Sequence, residues 1–322
     1  LDGEASVRYA QETIHYYRTN IRDAGIDVKR GGWQANLSVD GDRDWGTIRQ
    51  RLGWNRVEQS RDPDSDDYQS WYFSDSQDWG TNNNTLQGDF GDIEQKQKTL
   101  SYKLDVNWNP VTLLGATHRF SVGTQLSRQN VYYARLSESS TYVTPKSTTT
   151  CTNRAGIVDD VACAMGVTHT SSKTSNGWPG QYLTQRTRYA TGRFAFDTNS
   201  WGIYAEDDIR IGRLQLRPGI RVDGDSYMHQ DTWAPRLAAS FDVLGDNRTL
   251  IQAGANRYYG RNVAAWRLSD GINRLRYNGE KRTSLDSPWT VGTQATNTVR
   301  FSDLKVAYSD ELMLGVEQRW AG

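Results

Sequence analysis

No run of about 18 apolar residues occurs in this 322-residue chain, so no membrane-spanning helix can be drawn. Charge of one sign is lacking too. Lys+Arg is 38 and Asp+Glu is 38, which removes the basic excess of a nucleic-acid binder. Cys 2, Met 3 and Pro 7 are all low, and two lone cysteines are poor zinc chelators. The four histidines (His15, His118, His169 and His229) have no H-x-x-x-H or H-E-x-x-H partner. A G-x-S-x-G elbow, a Walker loop and a dinucleotide fingerprint are all missing, and no metal or catalytic motif is left to argue from. The first residues, Leu1-Asp2-Gly3-Glu4, carry no basic and apolar signal pattern. A mean hydropathy of −0.77 suits a water-soluble chain. That inference is weak for strands that turn alternate residues to lipid and to water, because they dilute hydropathy at every segment.

What is present is aromatic and alternating. Trp 12 and Tyr 17 are high for this length, and these side chains favour membrane–water boundaries. Period-two patterning runs through most of the chain. In 99–108, Leu100, Tyr102, Leu104, Val106 and Trp108 share one face, while Thr99, Ser101, Lys103, Asp105 and Asn107 share the other. Two hairpins test the register. The first turns at Gly212-Arg213, a Gly-X pair suited to type II′. It aligns Ile211/Leu214, Ile209/Leu216, Ala205/Ile220 and Ile203/Val222 on an apolar face. Arg210/Gln215, Asp208/Arg217 and Tyr204/Arg221 fall on a polar one. Asp207, opposite Pro218, is the exception on the apolar face, where a local bulge could turn it inward. The second hairpin turns at Gly245-Asp246-Asn247 and aligns Phe241/Ile251, Ala239/Ala253, Leu237/Ala255 and Trp233/Tyr259.

Connections alternate in length. Residues 40–46, 109–117, 212–213 and 244–248 are short; 60–98, 137–199 and 261–307 are long and polar. Short turns on one side and long loops on the other, with strands of about ten residues, describe an all-β, antiparallel up-and-down transmembrane barrel. Ten strands are expected, near 4–18, 31–40, 46–59, 99–109, 118–136, 200–211, 214–227, 233–243, 249–260 and 308–320. Short turns would be periplasmic and long loops extracellular, and Leu104, Val106, Ile209, Ile211, Leu214, Leu216, Phe241 and Ile251 would face lipid. Trp108 and Trp320 fall at the short-turn end; Trp201, Trp233, Tyr258 and Tyr259 fall at the long-loop end. They read either as interfacial girdles or as core aromatics of a soluble sheet.

Three stretches carry a family resemblance: SWGIYAEDDIRIGRLQLRPGIRVD (200–223), TWAPRLAASFDVLGDNRTLIQAGANRYYGR (232–261) and YSDELMLGVEQRW (308–320). They resemble barrel strands of TonB-dependent receptors, in the tight turn before PGIRVD, the APRL start and the RYYGR finish. The resemblance implies a cell outer-membrane location and uptake of a scarce nutrient, above all an iron–siderophore complex. It also implies energy from TonB with ExbB and ExbD. A passive porin or adhesin barrel is the alternative. Such receptors have about 22 strands and an N-terminal plug. The chain, residues 1–322, is therefore expected to be a partial barrel, without plug domain, cut at periplasmic turns and unable to transport alone.

The resemblance implies no enzyme and no cofactor. Lumen carboxylates such as Asp105, Glu206 and Asp208 read as paired charges in a wet interior, for instance Asp208 with Arg217, rather than as acid–base catalysts. Asp62, Asp64, Asp66 and Asp67, like the DGDRDWG turn, could offer oxygen to calcium but lack an EF-hand spacing, so a solvated acidic loop is the plainer reading. The long loops hold Tyr68, Trp71, Tyr72, Trp79, Trp178, Tyr182, Arg186 and Arg188. Such residues either capture an anionic or aromatic chelate by stacking and bidentate bonds, or pack the loops. Cys151 and Cys163 lie 163 − 151 = 12 positions apart in one outward loop, where an oxidising export route favours a disulfide. Closing that loop would remove roughly 3 kcal/mol of unfolded-state entropy.

Overall fold

Alternation places successive side chains on opposite sheet faces, and the chain forms strands wherever that pattern runs. The computed structural model describes residues 1–74, 77, 79–80, 84–146, 181–260, 263–295 and 305–320. In chain order the strands are β1 (Asp2–Tyr17), β2 (Ile21–Arg22), β3 (Gly25–Arg43), β4 (Gly46–Pro63), β5 (Tyr68–Tyr72) and β6 (Asn84–Gln87). There follow β7 (Ile93–Trp108), β8 (Val111–Leu113), β9 (Ala116–Arg135), β10 (Ser139–Lys146), β11 (Tyr182–Tyr189) and β12 (Gly192–Ile211). The last are β13 (Leu214–Asp225), β14 (Thr232–Asp242), β15 (Thr249–Gly260), helix α1 (Val263–Asn273), β16 (Arg276–Lys281), β17 (Thr293–Gln294) and β18 (Ala307–Gln318).

The ten expected strands are present and form one antiparallel path, β1-β3-β4-β7-β9-β12-β13-β14-β15-β18, with β8 beside β9. This is a meander consistent with part of a barrel. Several strands run further toward the long loops than alternation showed: β3 starts at Gly25, β7 at Ile93 and β12 at Gly192. Trp201 therefore lies mid-strand in β12, not at its end.

Both hairpin registers hold. Ile211 pairs with Leu214 and Ile203 with Val222, and Gly212 turns at φ 56, as a type II′ turn requires. Asp207 needs no bulge. The register is the same on either side of it, with Glu206 opposite Gly219 and Ile209 opposite Leu216. Its carboxylate instead stays on the apolar face and meets His118 Nδ1 at 2.7 Å, where the imidazole stacks on Phe120. In the second hairpin the ladder ends at Arg236/Asn256, so Trp233 and Tyr259 do not pair. Trp233 sits opposite Val222 and Tyr259 opposite Tyr308, because the two strands part above that point to reach different neighbours.

The register sorts the two faces. One carries the row Leu37, Leu52, Tyr102, Leu126, Trp201 across five strands. Leu37, Leu52 and Leu126 expose 44%, 42% and 48% of their surface, with no second layer over them among the described residues. A soluble sandwich would bury this face, whereas a bilayer covers it. Aromatics bound the band on a diagonal. The upper edge steps from the Tyr9–Trp33 ring pair at 4.6 Å, through Trp54 and Trp201, to Trp233 and the Tyr259–Tyr308 pair at 5.8 Å. The lower edge steps from the Trp45–Trp108 pair at 6.0 Å, through Phe120 and Phe241, to Trp320. Both edges descend toward β18, as strands tilted to the membrane normal demand. Trp233 to Phe241 on β14 is eight residues, or about 26 Å along the strand and about 20 Å upright at a ~40° tilt, close to the height of a barrel's apolar band.

The other face is polar. Tyr204 donates its hydroxyl proton to Asp105, Arg217 reaches Asp208 at 3.5 Å, and Arg221 chelates Asp223. The Asp208–Arg217 pair expected from sequence is thus present. Helix α1 packs over the same face, with Arg267 5.2 Å from the Phe196 ring.

The long connections, expected as long polar loops, also hold strands. They build a second sheet in the order β17-β16-β11-β10-β5-β6-β2, with β10–β5 and β2–β6 parallel and the other pairs antiparallel.

Candidate functional site

The second sheet stands at the long-loop end, and its side chains form two Arg–aromatic clusters. The first lies on β10, β11 and β16. Arg186 is directly opposite Glu280, and the register then slips by one residue on β16 at Asn278-Gly279. Gly279 adopts φ 76, a conformation that favours glycine, and Arg186 and Arg188, two residues apart on one face of β11, both reach the same carboxylate. Arg186 Nε donates to Glu280 Oε2 at 2.5 Å and Arg188 Nε to Oε1 at 2.9 Å, while Arg188 also bonds Glu138 at 3.0 Å. Glu280 is 3% exposed. Burial would lower the pKa of Arg186, but the hydrogen bonds it donates to Tyr142 and Glu280 hold it above the usual guanidinium value. For Arg188 the Glu280 bond leads the same upward shift. Aromatic rings interleave with the cations: Tyr182 lies 5.7 Å from Arg282, Arg282 4.8 Å from Trp289, and Trp289 4.7 Å from Arg186.

The second cluster caps the inner face where β1, β4 and β9 end. Arg61 and Arg135 flank Ile93 in register on either side of β7. Both donate to the Phe90 carbonyl, at 3.0 and 2.7 Å. Arg18 bonds the Gly88 carbonyl at 2.9 Å and meets Asp89 at 3.3 Å. The Phe90 ring stacks on Tyr68 at 4.8 Å, with Arg18 5.1 Å from it. Three guanidinium groups thus converge where Asp89 makes the cluster's ion pair. The Nε of each is buried without a partner among the described residues. Arg135 also lies 4.9 Å from the Tyr189 ring, which links this cluster to β11.

Tyr182, Arg186 and Arg188 therefore meet in the first cluster, and Tyr68 belongs to the second. Trp71 and Tyr72 lie on β5, where the Tyr72 amide donates to Gln181 at 3.0 Å. Trp79 donates to the Leu86 carbonyl at 2.7 Å beneath Arg22, a contact within the loop layer. Trp178, Cys151 and Cys163 lie outside the described residues. The acidic run does not converge on a cation. Asp66 accepts from Ser137 at 2.5 Å and Asp67 from the Ser140 amide at 2.8 Å, and burial pushes the Asp67 carboxyl above its usual range. No group of three or more metal-ligating side chains occurs among the described residues.

Arg18, Arg61, Arg135, Glu280, Arg282 and Trp289 escaped sequence reasoning. A signal existed for two of them: extending the β7 alternation back to Ile93 puts Arg61 and Arg135 on the same face. Glu280 left none, because its partners Arg186 and Arg188 sit 94 and 92 positions away.

The protein YddB of Escherichia coli (strain K12) is 24% identical over 325 residues, covering 98% of this chain and 35% of that protein. The crystal structure of the outer membrane transporter YddB from Escherichia coli superposes with a TM-score of 0.67 at 20% identity, covering 99% of this chain and 36% of that one. The siderophore receptor PirA from Acinetobacter baumannii gives a TM-score of 0.49 at 12% identity, over 99% of this chain and 41% of that one. The chain thus spans about a third of the length of the YddB proteins it matches. Residues 3–322 match the family described as TonB dependent receptor-like, beta-barrel. The chain belongs to that family, an outer-membrane β-barrel of TonB-dependent receptors.

Proposed function

We propose that this chain forms the ligand-capturing side of a receptor that imports an iron–siderophore complex, driven by TonB with ExbB and ExbD. The observation that carries the reading is the convergence of Arg18, Arg61 and Arg135 on the inner face beside Asp89, with aromatic rings at hand. Guanidinium forks and ring faces suit a large anionic chelate, which offers both negative oxygens and flat ligand groups. The Arg186–Trp289–Arg282 stack extends the same chemistry along the loop sheet. Of the loop residues singled out in the sequence, Tyr68, Tyr182, Arg186 and Arg188 join this surface; Trp71, Tyr72 and Trp79 serve loop packing.

The test is a panel of ferric chelates titrated against the full-length protein by tryptophan quenching, with uptake followed in cells with and without TonB. Binding of at least one chelate is expected, weakened about tenfold or more in Arg135→Gln and only partly restored in Arg135→Lys, which keeps the charge but not the fork. Uptake should vanish without TonB. Uptake that continues without TonB would favour a passive pore, and no binding across the panel would move the ligand to another chemical class.

A further inference from the structure

We propose that the outer face just above the apolar band binds the phosphate groups of an outer-leaflet lipid, through Arg56, Lys98 and Arg128. Arg56 and Lys98 are directly opposed across β4 and β7. Like charges in that relation repel, so an uncompensated pair needs a reason. Among the described residues, neither forms an ion pair or a side-chain hydrogen bond. Arg128 sits opposite Leu100 on β9, one diagonal step from Lys98. Its contact with Asp197 is 3.6 Å and open to water, and the other oxygen of Asp197 is taken by Asn130 at 3.0 Å. Within 4 Å the triad meets one carboxylate, Asp197; Glu58, two residues above Arg56 on the same face, instead accepts from Ser60 at 2.9 Å.

Position identifies the partner. Two residues below Arg56 on the same face stands Trp54, and directly opposite Arg56 stands Trp33, both on the upper aromatic edge. Tryptophan at that edge marks headgroup depth. Below the triad Trp54, Leu100 and Leu126 are 39%, 47% and 48% exposed and continue into the lipid-facing row. A molecule that places phosphate oxygens on the triad and acyl chains on those three residues satisfies both halves of the surface. A phosphorylated lipid does so; a soluble phosphate leaves the apolar half bare. At the β15–β18 end of this edge the charge is closed, since Arg257 forms a two-bond fork with Asp310 at 2.6 and 2.7 Å.

The test is native mass spectrometry of the intact full-length protein in detergent, titrated with a bis-phosphorylated lipid A or with the same lipid dephosphorylated. Wild type should bind the phosphorylated form on the order of tenfold more tightly. R56Q/K98Q should lose that preference, while R56K/K98R keeps it. Unchanged heat-modifiability on gels confirms the barrel in each variant. Equal binding of the two lipids by wild type, or the same preference in R56Q/K98Q, would overturn the proposal. So would displacement of the lipid by an equal concentration of inorganic phosphate. If R56Q/K98Q fails to fold, the wild-type comparison of the two lipids and the K98Q single variant still decide it. Chelate binding plays no part in the readout, so failure here leaves the uptake reading standing.

Discussion

Glu280→Gln should open the loop sheet locally. Glu280 is the one carboxylate shared by Arg186 and Arg188, whose side chains are 17% and 23% exposed. Breaking a buried pair from one side costs about 3–5 kcal/mol, because the charge left behind has neither partner nor water. Here the lower end applies. Arg188 keeps Glu138, and Arg186 keeps the Tyr142 hydroxyl at 3.3 Å and the face of Trp289. A cost of about 3 kcal/mol is roughly a hundredfold rise in the opening equilibrium. Hydrogen exchange on the full-length protein should show that loss of protection across Gln185–Tyr189 and Arg276–Lys281. Amides of β7 and β9 should be unchanged. Glu138→Gln is the control: its carboxylate is 52% exposed, so less than about 1 kcal/mol is expected. Equal effects of the two substitutions, or a change under fivefold in Glu280→Gln, would contradict the shared-carboxylate geometry.

Lipid-face substitutions should depend on depth. Leu104→Arg, four residues above Trp108 on β7, should cost about 2–4 kcal/mol in bilayer unfolding measurements, and Ile211→Arg at the hairpin tip about 0–1 kcal/mol; equal costs would rule out a membrane band centred on Leu104. Asp67→Asn should leave loop stability unchanged or raised at neutral pH, since the amide oxygen can still accept from Ser140. The raised pKa of Asp67 means that its charged form opposes folding, so wild-type loop protection should grow as pH falls through that pKa toward 3.8. In Asp67→Asn this pH dependence should vanish, as limited proteolysis of the loop across that window would show.

The barrel was legible because two local rules coincide there. Strict alternation in 99–108 assigned each face of β7, and the Gly212-Arg213 turn pinned the β12–β13 register to the residue. Asp207 broke the pattern only on paper: the ladder continues past it, and its partner His118 lies on β9, 89 positions earlier. The loop sheet was not legible for the same physical reason. Thr141 pairs with Tyr68 and Arg186 with Glu280, contacts between distant segments whose polar faces show no periodicity. Tyr182, Arg186 and Arg188 were recognisable by residue type alone. The carboxylate that organises the two arginines lies 94 and 92 positions away on β16, where composition does not announce it.

The most direct test of the membrane-barrel reading is a nitroxide scan of residues 100–107 in the full-length protein, reconstituted in a bilayer. Collision with lipid-soluble oxygen should dominate at Leu100, Tyr102, Leu104 and Val106, and collision with a water-soluble nickel chelate at Ser101, Lys103, Asp105 and Asn107. A period-two alternation in phase with those faces is predicted. Aqueous accessibility on both sets, or a protein-packed environment at the first, would contradict a lipid-facing barrel wall.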